Sequence, residues 1–182
     1  MDPLRKPRVA TVWLGGCSGC HMSFLDMDER LLDLAARMDL VFSPLADVKL
    51  FPEGVDVALV EGAVCNEEHL HVARTVRARS TLVLSFGDCA CTGNVTAIRN
   101  SLGGAAPVLE RAYLELADAQ PQLPDAPGIV PKLLDRVLPL HQVIQVDAFL
   151  PGCPPSADLI FAALQDVLAG RPPDLTGKLR FG

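Results

Sequence analysis

The sequence has few aromatic residues, no cluster of basic residues and no long hydrophobic run. Aromatic side chains make up 5% of the 182 residues, and the formal net charge is −6. The absence of a basic patch argues against binding to nucleic acid or to an anionic membrane surface. No segment approaches the roughly 18 uninterrupted apolar residues that a membrane span needs. We therefore expect neither nucleic acid nor a membrane as a partner.

The start of the chain lacks the features of an export signal. Residues 14–17, LGGC, resemble a lipoprotein cleavage box, but the apolar run before Cys17 is only about eight residues long, and Arg8 crowds its start. No twin-arginine leader is present. These features predict a cytoplasmic location. In that reducing compartment the six cysteines are expected to hold a metal or to do redox work rather than to form disulfides.

Hydrophobic residues make up 49% of the sequence. A chain of this length predicts one domain over residues 1–182, with a core from about residue 8 to residue 170. This high apolar content also predicts that part of the apolar surface is covered by another subunit.

Short apolar runs alternate with helical patterns. Strands are predicted at Val9–Leu14, Leu40–Ser43, Val55–Val60, Thr81–Phe86 and Val143–Leu150. Helices are predicted at Ser23–Met38, Glu67–Arg79, Ala106–Ala117 and Ala157–Ala169. In the first helix, Leu25, Leu32 and Ala36 share a face, and residues 118–131 are predicted to form a surface loop. This alternation predicts an α/β fold: a flavodoxin-like, doubly wound parallel sheet with helices on both faces.

Three groups of cysteines follow three of the predicted strands. Cys17 and Cys20 form a C-x-x-C pair after the first strand, Cys89 follows the fourth and Cys153 follows the last. The carboxyl ends of parallel strands lie at one edge of the sheet, where ligands bind in open α/β folds. We therefore expect Cys17, Cys20, Cys153 and one of the Cys89/Cys91 pair to meet. Glycine-containing turns beside them suit an iron–sulfur cluster, because they let backbone N–H groups approach sulfur.

Three alternative roles for these cysteines stay open. A structural zinc site more often uses two C-x-x-C knuckles, whereas this chain has one. A thioredoxin-like dithiol also sits between a strand and a helix, but it leaves Cys89 and Cys153 unexplained. In the third alternative, those two cysteines are small buried core residues. We interpret Cys65 as a free core or interface thiol, and Cys91 as too near Cys89 to share a cluster corner.

Four motifs resemble a known family when they are taken in order. They are WLGGCSGC at 13–20, LVEGAV at 59–64, GDCACTGN at 87–94 and PGCPPS at 151–156. Together they resemble the small subunit of nickel–iron hydrogenases, whose fold is shared with the cluster-bearing subunit of respiratory complex I. The resemblance extends from about Arg8 to Gly170. Complex I relatives carry adjacent cysteines in the first motif, so the separated Cys17 and Cys20 favour a hydrogenase.

The resemblance implies a ligand set for one 4Fe–4S cluster. Carried over to this chain, the ligands are Cys17, Cys20, Cys89 and Cys153. Glu61, in the second motif, is expected near the cluster as a buried interface or proton-linked carboxylate. His21 is expected either to donate to cluster sulfur or to face solvent or a partner. The third motif departs from the family's usual residues at Cys91 and at Asn94, where glycine is common.

The resemblance also implies a role in electron transfer. The chain has no cysteine after Cys153, and it resembles the short small subunit of cytoplasmic NAD-reducing hydrogenases. Such a subunit is inactive alone. It carries electrons from the Ni–Fe centre of a large subunit, where H2 is split, to a diaphorase with FMN and further iron–sulfur clusters that reduces NAD. The alternatives are a hydrogenase subunit that serves NADP or deazaflavin, or a complex I-like electron-transfer subunit.

Overall fold

The computed structural model describes residues 5–178, and the ends of the predicted domain, residues 1–4 and 179–182, lie outside the described residues. The strands are β1 (Arg8–Trp13), β2 (Asp39–Phe42), β3 (Val55–Glu61), β4 (Val64–Asn66), β5 (Ser80–Phe86), β6 (Leu133–Leu138) and β7 (Ala148–Leu150). The α-helices are α1 (Gly19–Leu25), α2 (Arg30–Arg37), α3 (Glu67–Arg79), α4 (Asp88–Thr92), α5 (Ala105–Glu110) and α6 (Ala157–Leu168). None of the helices described is long and apolar enough to cross a membrane.

A parallel sheet forms the centre of the fold, with its strands in the order β2-β1-β3-β5-β7. Numbered along the chain within the sheet, this order is 2-1-3-4-5, the flavodoxin-like arrangement of a doubly wound sheet. The central strand β3 is buried along its whole length. Alternate residues of the strands belong to two separate core clusters, so both faces of the sheet are covered. The predicted flavodoxin-like α/β fold is confirmed.

One row of residues marks the carboxyl edge of the sheet. Trp13 of β1 pairs with Glu61 of β3, Glu61 pairs with Phe86 of β5, and Phe86 pairs with Leu150 of β7. Because these strands are parallel and in register, the chain leaves all of them at the same level. The loops that follow therefore start side by side, although they are far apart in the sequence.

The predicted helix Ser23–Met38 is interrupted, and this part of the prediction is wrong. A turn that contains Asp28 in the left-handed region, at φ 49°, separates α1 from α2. Aspartate adopts this conformation more readily than most residues, because its short polar side chain can bond locally. The helix restarts with a different face towards the core. Leu25 and Leu32 are consequently 37% and 72% exposed, whereas Leu34 is buried.

The last predicted strand, Val143–Leu150, is shorter than expected, since only Ala148–Leu150 pair with β5. The carboxylate of Asp147 accepts from the backbone N–H of Val83 at 2.7 Å and from Arg77 at 2.6 Å. In a regular sheet the Val83 N–H would donate to a backbone carbonyl of the neighbouring strand. Here it donates to the side chain of Asp147 instead. Regular pairing therefore begins only one residue later.

The other helices largely agree with the prediction. α3 spans the predicted residues, and the side chain of Asn66 caps it by accepting from the N–H of His69 at 2.7 Å. α6 is capped in the same way by Ser156. The helix predicted at Ala106–Ala117 ends instead in a π-helical turn, Arg111–Glu115. The antiparallel pair of β4 and β6 was not predicted, because β4 is too short to give a sequence pattern.

Asp56 ties the N-terminal segment to β3. Its carboxylate accepts from the backbone N–H of Arg8 at 2.7 Å and from the guanidinium of Arg5 at 2.6 and 2.9 Å. Burial by itself raises the pKa of Asp56, but these hydrogen bonds outweigh burial and hold the pKa below its usual value. The resulting stabilisation is complete above the pKa of the unfolded chain, about 3.9, and is lost as the pH falls through the lower folded-state pKa.

Asp56→Asn is therefore expected to lower the free energy of unfolding by about 1–3 kcal/mol at neutral pH. The difference from the unchanged protein should shrink below about pH 4, because Asp56 of the unfolded chain becomes protonated there and the native carboxylate follows at still lower pH. Urea unfolding followed by circular dichroism, repeated in steps of decreasing pH, measures the effect. Asp47→Asn is the control: Asp47 and its partner Lys49 are both exposed, so little change is expected. If Asp56→Asn lowered the free energy of unfolding by the same amount at every pH, the ionised carboxylate of Asp56 would not be the cause.

Candidate metal centre

The structure places the four predicted cysteine ligands in three loop regions at one edge of the sheet. Cys17 lies in the loop after β1, and Cys20 lies in the first turn of α1. Cys89 lies in the first turn of α4, after β5, and Cys153 follows β7. Cys20 and Cys89 are buried, whereas Cys17 and Cys153 are exposed, and all four are unpaired. The four thiols form a site with a buried half and an exposed half.

These thiols lie close enough to influence one another electrostatically. Burial raises the pKa of the Cys20 thiol strongly, and the charges of Glu61, Cys89, Cys17 and Cys153 raise it further. Burial also raises the pKa of Cys89 to about 11, with contributions from Cys153 and Cys17. The negative charge of each thiolate thus makes ionisation of the other thiols less favourable. Bound metal ions remove this conflict, because they replace the protons as the thiols ionise.

The donor set fits an iron–sulfur cluster by its chemistry. Four cysteine thiolates are the ligands that 4Fe–4S clusters take, and the chain brings four cysteines to one edge of the sheet. Among residues 5–178, the side chains as they stand form no group of three His, Cys, Asp or Glu placed to hold a metal ion. Zinc also binds cysteine thiolates, and the metal measurements proposed for the complex distinguish the two.

Gly87 brings the start of α4 against Cys20. A Cβ atom at this position would lie 2.1 Å from the Sγ of Cys20, and the φ of +82° is one that side-chain-bearing residues rarely adopt. The Gly87 N–H also donates to the carbonyl of Leu150, at 2.8 Å. Only glycine meets both the steric and the backbone requirement here.

Asp88 joins two of the cysteine loops, and the sequence pattern did not single it out. Its backbone N–H donates to the carbonyl of Gly152 at 2.9 Å, and its carboxylate accepts from the N–H of Gly152 at 2.7 Å. These two bonds hold the turn that carries Cys89 against the turn that carries Cys153. An aspartate directly after a glycine is a common turn signal. Its partner, however, is 64 residues away and is known only from the fold.

Glu61 lies beneath Cys20 and pairs with His21. The Glu61 carboxylate is 1% exposed and accepts from the backbone N–H groups of His21, at 2.9 Å, and Cys20, at 3.4 Å. It also contacts Nδ1 of His21. The expected solvent- or partner-facing position of His21 is wrong, because His21 is buried and its ring packs edge-on against Phe86. Glu61 is buried beside the site as expected, and its proton-linked role stays a prediction.

The remaining cysteines and Asn94 lie around the site in different ways. Cys91 is buried with its Sγ 3.4 Å from Oγ of Ser85, and burial raises the pKa of its thiol. Cys65 is half-buried, and burial raises its pKa as well. The placing of both thiols outside the ligand set stays a prediction. Asn94, in contrast, donates from Nδ2 to the Sγ of Cys153 at 3.4 Å.

The sequence is similar to proteins of known families. Residues 17–167 match the family described as NADH ubiquinone oxidoreductase, 20 Kd subunit. The chain is 42% identical over 178 residues to the NAD-reducing hydrogenase HoxS subunit delta of Cupriavidus necator, covering 96% of this chain and 84% of the relative. It is 38% identical over 173 residues to a subunit of the F420-non-reducing hydrogenase of Methanothermobacter thermautotrophicus, covering 91% of this chain and 54% of the relative. The chain thus spans most of the first relative and about half of the second.

Solved structures show the same relationship. A crystal structure of an NAD+-reducing [NiFe]-hydrogenase in the H2-reduced state contains a chain with a TM-score of 0.92 and 41% identity, covering 98% of this chain and 100% of that one. A [NiFeSe]-hydrogenase from Dm. baculatum gives a TM-score of 0.60 at 16% identity, covering 91% of this chain and 63% of that one. The second similarity concerns the fold alone.

Proposed function

This chain belongs to the family of the NADH ubiquinone oxidoreductase 20 Kd subunit, and from that premise we propose that it is the electron-transfer small subunit of an NAD-reducing nickel–iron hydrogenase. It passes electrons from a large subunit that splits H2 to a diaphorase that reduces NAD, and it is inactive alone. The observation that carries the proposal is the set of four cysteines at one sheet edge, in a chain 42% identical to a hydrogenase subunit of that type.

The residues of the site would hold one 4Fe–4S cluster, which gains and loses one electron at a time when it is bound. The proposed ligands are Cys17, Cys20, Cys89 and Cys153. The buried pair, Cys20 and Cys89, anchors the site in the core. The exposed pair, Cys17 and Cys153, keeps the site at the surface, where partner subunits can approach it.

Apolar side chains near the first cysteine pair support a subunit interface. Trp13, Met22 and Leu25 are 46%, 56% and 37% exposed. Trp13 ends β1, just before Cys17, and the other two lie in α1, which also carries Cys20. Uncovered apolar groups of this size beside a site are typical of a surface that another protein covers. We assign this surface to the large subunit that carries the Ni–Fe centre. Diaphorase subunits with FMN and further iron–sulfur clusters are the other proposed partners.

A cytoplasmic location is part of the same proposal. All six cysteines are free thiols. A reducing compartment keeps such thiols available for metal binding.

The proposal is tested on the native complex, purified without oxygen. Iron, sulfide, nickel and zinc are measured, and EPR spectra are recorded after reduction with H2 and with NADH. Cys153→Ser should remove or distort one iron–sulfur signal, with a loss of up to about four irons and four sulfides. Cys65→Ser is the matched control and should leave the spectrum and metal content unchanged. Zinc at the site, or a metal-free chain with a Cys17–Cys20 disulfide, would show that the proposal is wrong.

The electron acceptor is tested separately, because relatives of the F420-non-reducing type are 38% identical to this chain. The purified complex is supplied with H2 and with NAD, NADP or F420 in turn. We expect reduction of NAD to be the fastest. Reduction of another acceptor in its place would overturn the diaphorase assignment and leave the cluster assignment standing.

A further inference from the structure

Asn94 donates a side-chain hydrogen bond to the sulfur of a proposed cluster ligand. Its Nδ2 lies 3.4 Å from the Sγ of Cys153, a contact across 59 residues of sequence. Asn94 follows α4 and Cys153 follows β7, so the two residues come together only because both loops lie at the carboxyl edge of the sheet. The distance is normal for an N–H group and sulfur, since sulfur has a larger radius than oxygen. Asn94 is thus next to the site without being a ligand.

The backbone holds this amide in place. Gly93 ends α4 at φ 88°, and Asn94 follows at φ 38°, in the left-handed region. The Asn94 N–H donates to Oγ1 of Thr92 at 3.3 Å. Glycine, asparagine and aspartate adopt this conformation more readily than other residues. Of these three, only asparagine has N–H donors on its side chain. The position therefore combines an unusual backbone with a donor aimed at sulfur.

A ligand sulfur at Cys153 would decide which end of the amide faces it. A thiolate has no proton to give, so it accepts from Nδ2 and repels Oδ1. Hydrogen bonds to ligand sulfur are among the factors that set the potential of an iron–sulfur cluster. They stabilise the reduced state more than the oxidised state, because the added electron increases the negative charge on the sulfur atoms. A donor in this position consequently favours reduction.

We propose that Asn94 is a positioning residue that raises the reduction potential of the cluster by donating a hydrogen bond to Cys153. The inference rests on the proposed function, because it requires a cluster on the four cysteines. One electron enters the site and later leaves it, and the Asn94 amide keeps both of its protons throughout. A glycine at this position would satisfy the backbone but provide no donor.

The test is a redox titration of the purified complex, followed by EPR. The signal that Cys153→Ser alters identifies the cluster of this chain. Asn94→Gly keeps the backbone conformation and removes the donor. At a fixed potential it should lower the ratio of reduced to oxidised cluster about tenfold, which is about 59 mV for a one-electron couple. Asn94→Asp should lower the ratio further, because it replaces the donor with a negative charge.

A matched control separates this effect from a general change of charge or fold. Asn66→Asp introduces the same charge at the start of α3, and its carboxylate still accepts from the N–H of His69, so the helix cap is kept. It should leave the potential unchanged. Labelling asparagine with 15N gives a second readout, since pulsed EPR should detect a nitrogen coupling to the reduced cluster that disappears in Asn94→Gly.

The outcomes distinguish the two proposals. If the unchanged complex has no iron–sulfur signal that depends on Cys153, the proposed function fails and the role of Asn94 fails with it. If that signal is present and Asn94→Gly leaves its potential and nitrogen coupling unchanged, the role of Asn94 alone is wrong. Loss of iron in Asn94→Gly would also contradict it, because Asn94 would then be needed to hold the cluster rather than to tune it.

Discussion

Gly87→Ala is expected to leave the chain unable to hold the proposed cluster. The new methyl group would lie 2.1 Å from the Sγ of Cys20, far inside van der Waals contact. A free thiol could turn aside, but the sulfur of a ligand is fixed by its bond to iron. The chain can therefore relieve the clash only by giving up the ligand position of Cys20. We expect the iron bound at this site to fall below about a tenth of its normal content.

The unfavourable backbone conformation has to be separated from the clash. Gly128 provides the control, because its φ of +79° is almost the same and nothing lies within 4 Å of the Cβ that alanine would add. Gly128→Ala should cost about 1–2 kcal/mol of stability and leave the cluster intact. Iron and sulfide are measured on both variants of the purified complex, together with the EPR signal that depends on Cys153. Equal iron content in the two variants would contradict the close approach of Gly87 to a bound Cys20.

Glu61→Ala is expected to lower the free energy of unfolding by about 3–5 kcal/mol. The carboxylate is almost completely buried and accepts from two backbone N–H groups as well as contacting the ring of His21. Alanine would leave these groups in the core without a partner and with no water to replace it. Because the two N–H groups belong to Cys20 and His21, the loss is expected to loosen the loop that carries the first cysteine pair.

The measurement is the urea concentration at which the complex loses the secondary structure and visible absorbance of this chain. Glu53→Ala is the control: Glu53 pairs with Arg79 at 2.8 Å, but its side chain is 76% exposed. An exposed pair of this kind contributes less than about 1 kcal/mol. Glu61→Gln keeps the volume and one acceptor oxygen, so its effect should lie between those of the other two variants. A Glu61→Ala protein as stable as Glu53→Ala would show that the buried carboxylate does not support the site.

The placement of the four cysteines at one edge of the sheet was largely predictable because its information is local. A strand that is apolar on both faces, followed by a glycine turn and a cysteine, is visible within about ten residues of sequence. Parallel strands then force the turns after them to one edge, so the convergence of Cys17, Cys20, Cys89 and Cys153 needed only the sheet to be recognised. The helix Glu67–Arg79 was predicted to the residue for the same reason: its acidic start and basic end are local signals.

The late start of β7 and the choice of buried face in α2 depend on tertiary contacts, whereas the interruption at Asp28 is a single left-handed residue that the helical pattern does not reveal. The spacing of apolar residues looks the same in a continuous helix and in a helix that is interrupted by a single left-handed residue. The Asp147 side chain replaces a strand contact only because it meets the N–H of Val83, which lies 64 residues away in the sequence. Local patterns carry no information on such pairings.

The sequence by itself determined which residue types the site contains and on which side of the sheet they lie. The tertiary structure alone decided what surrounds them. It bonded Glu61 to the backbone N–H groups of Cys20 and His21, joined two loops through Asp88, and brought the amide of Asn94 to the sulfur of Cys153. The physical reason is one of scale. Strand and turn preferences act over a few neighbouring residues, whereas a hydrogen bond forms wherever packing brings its donor and acceptor within reach of each other.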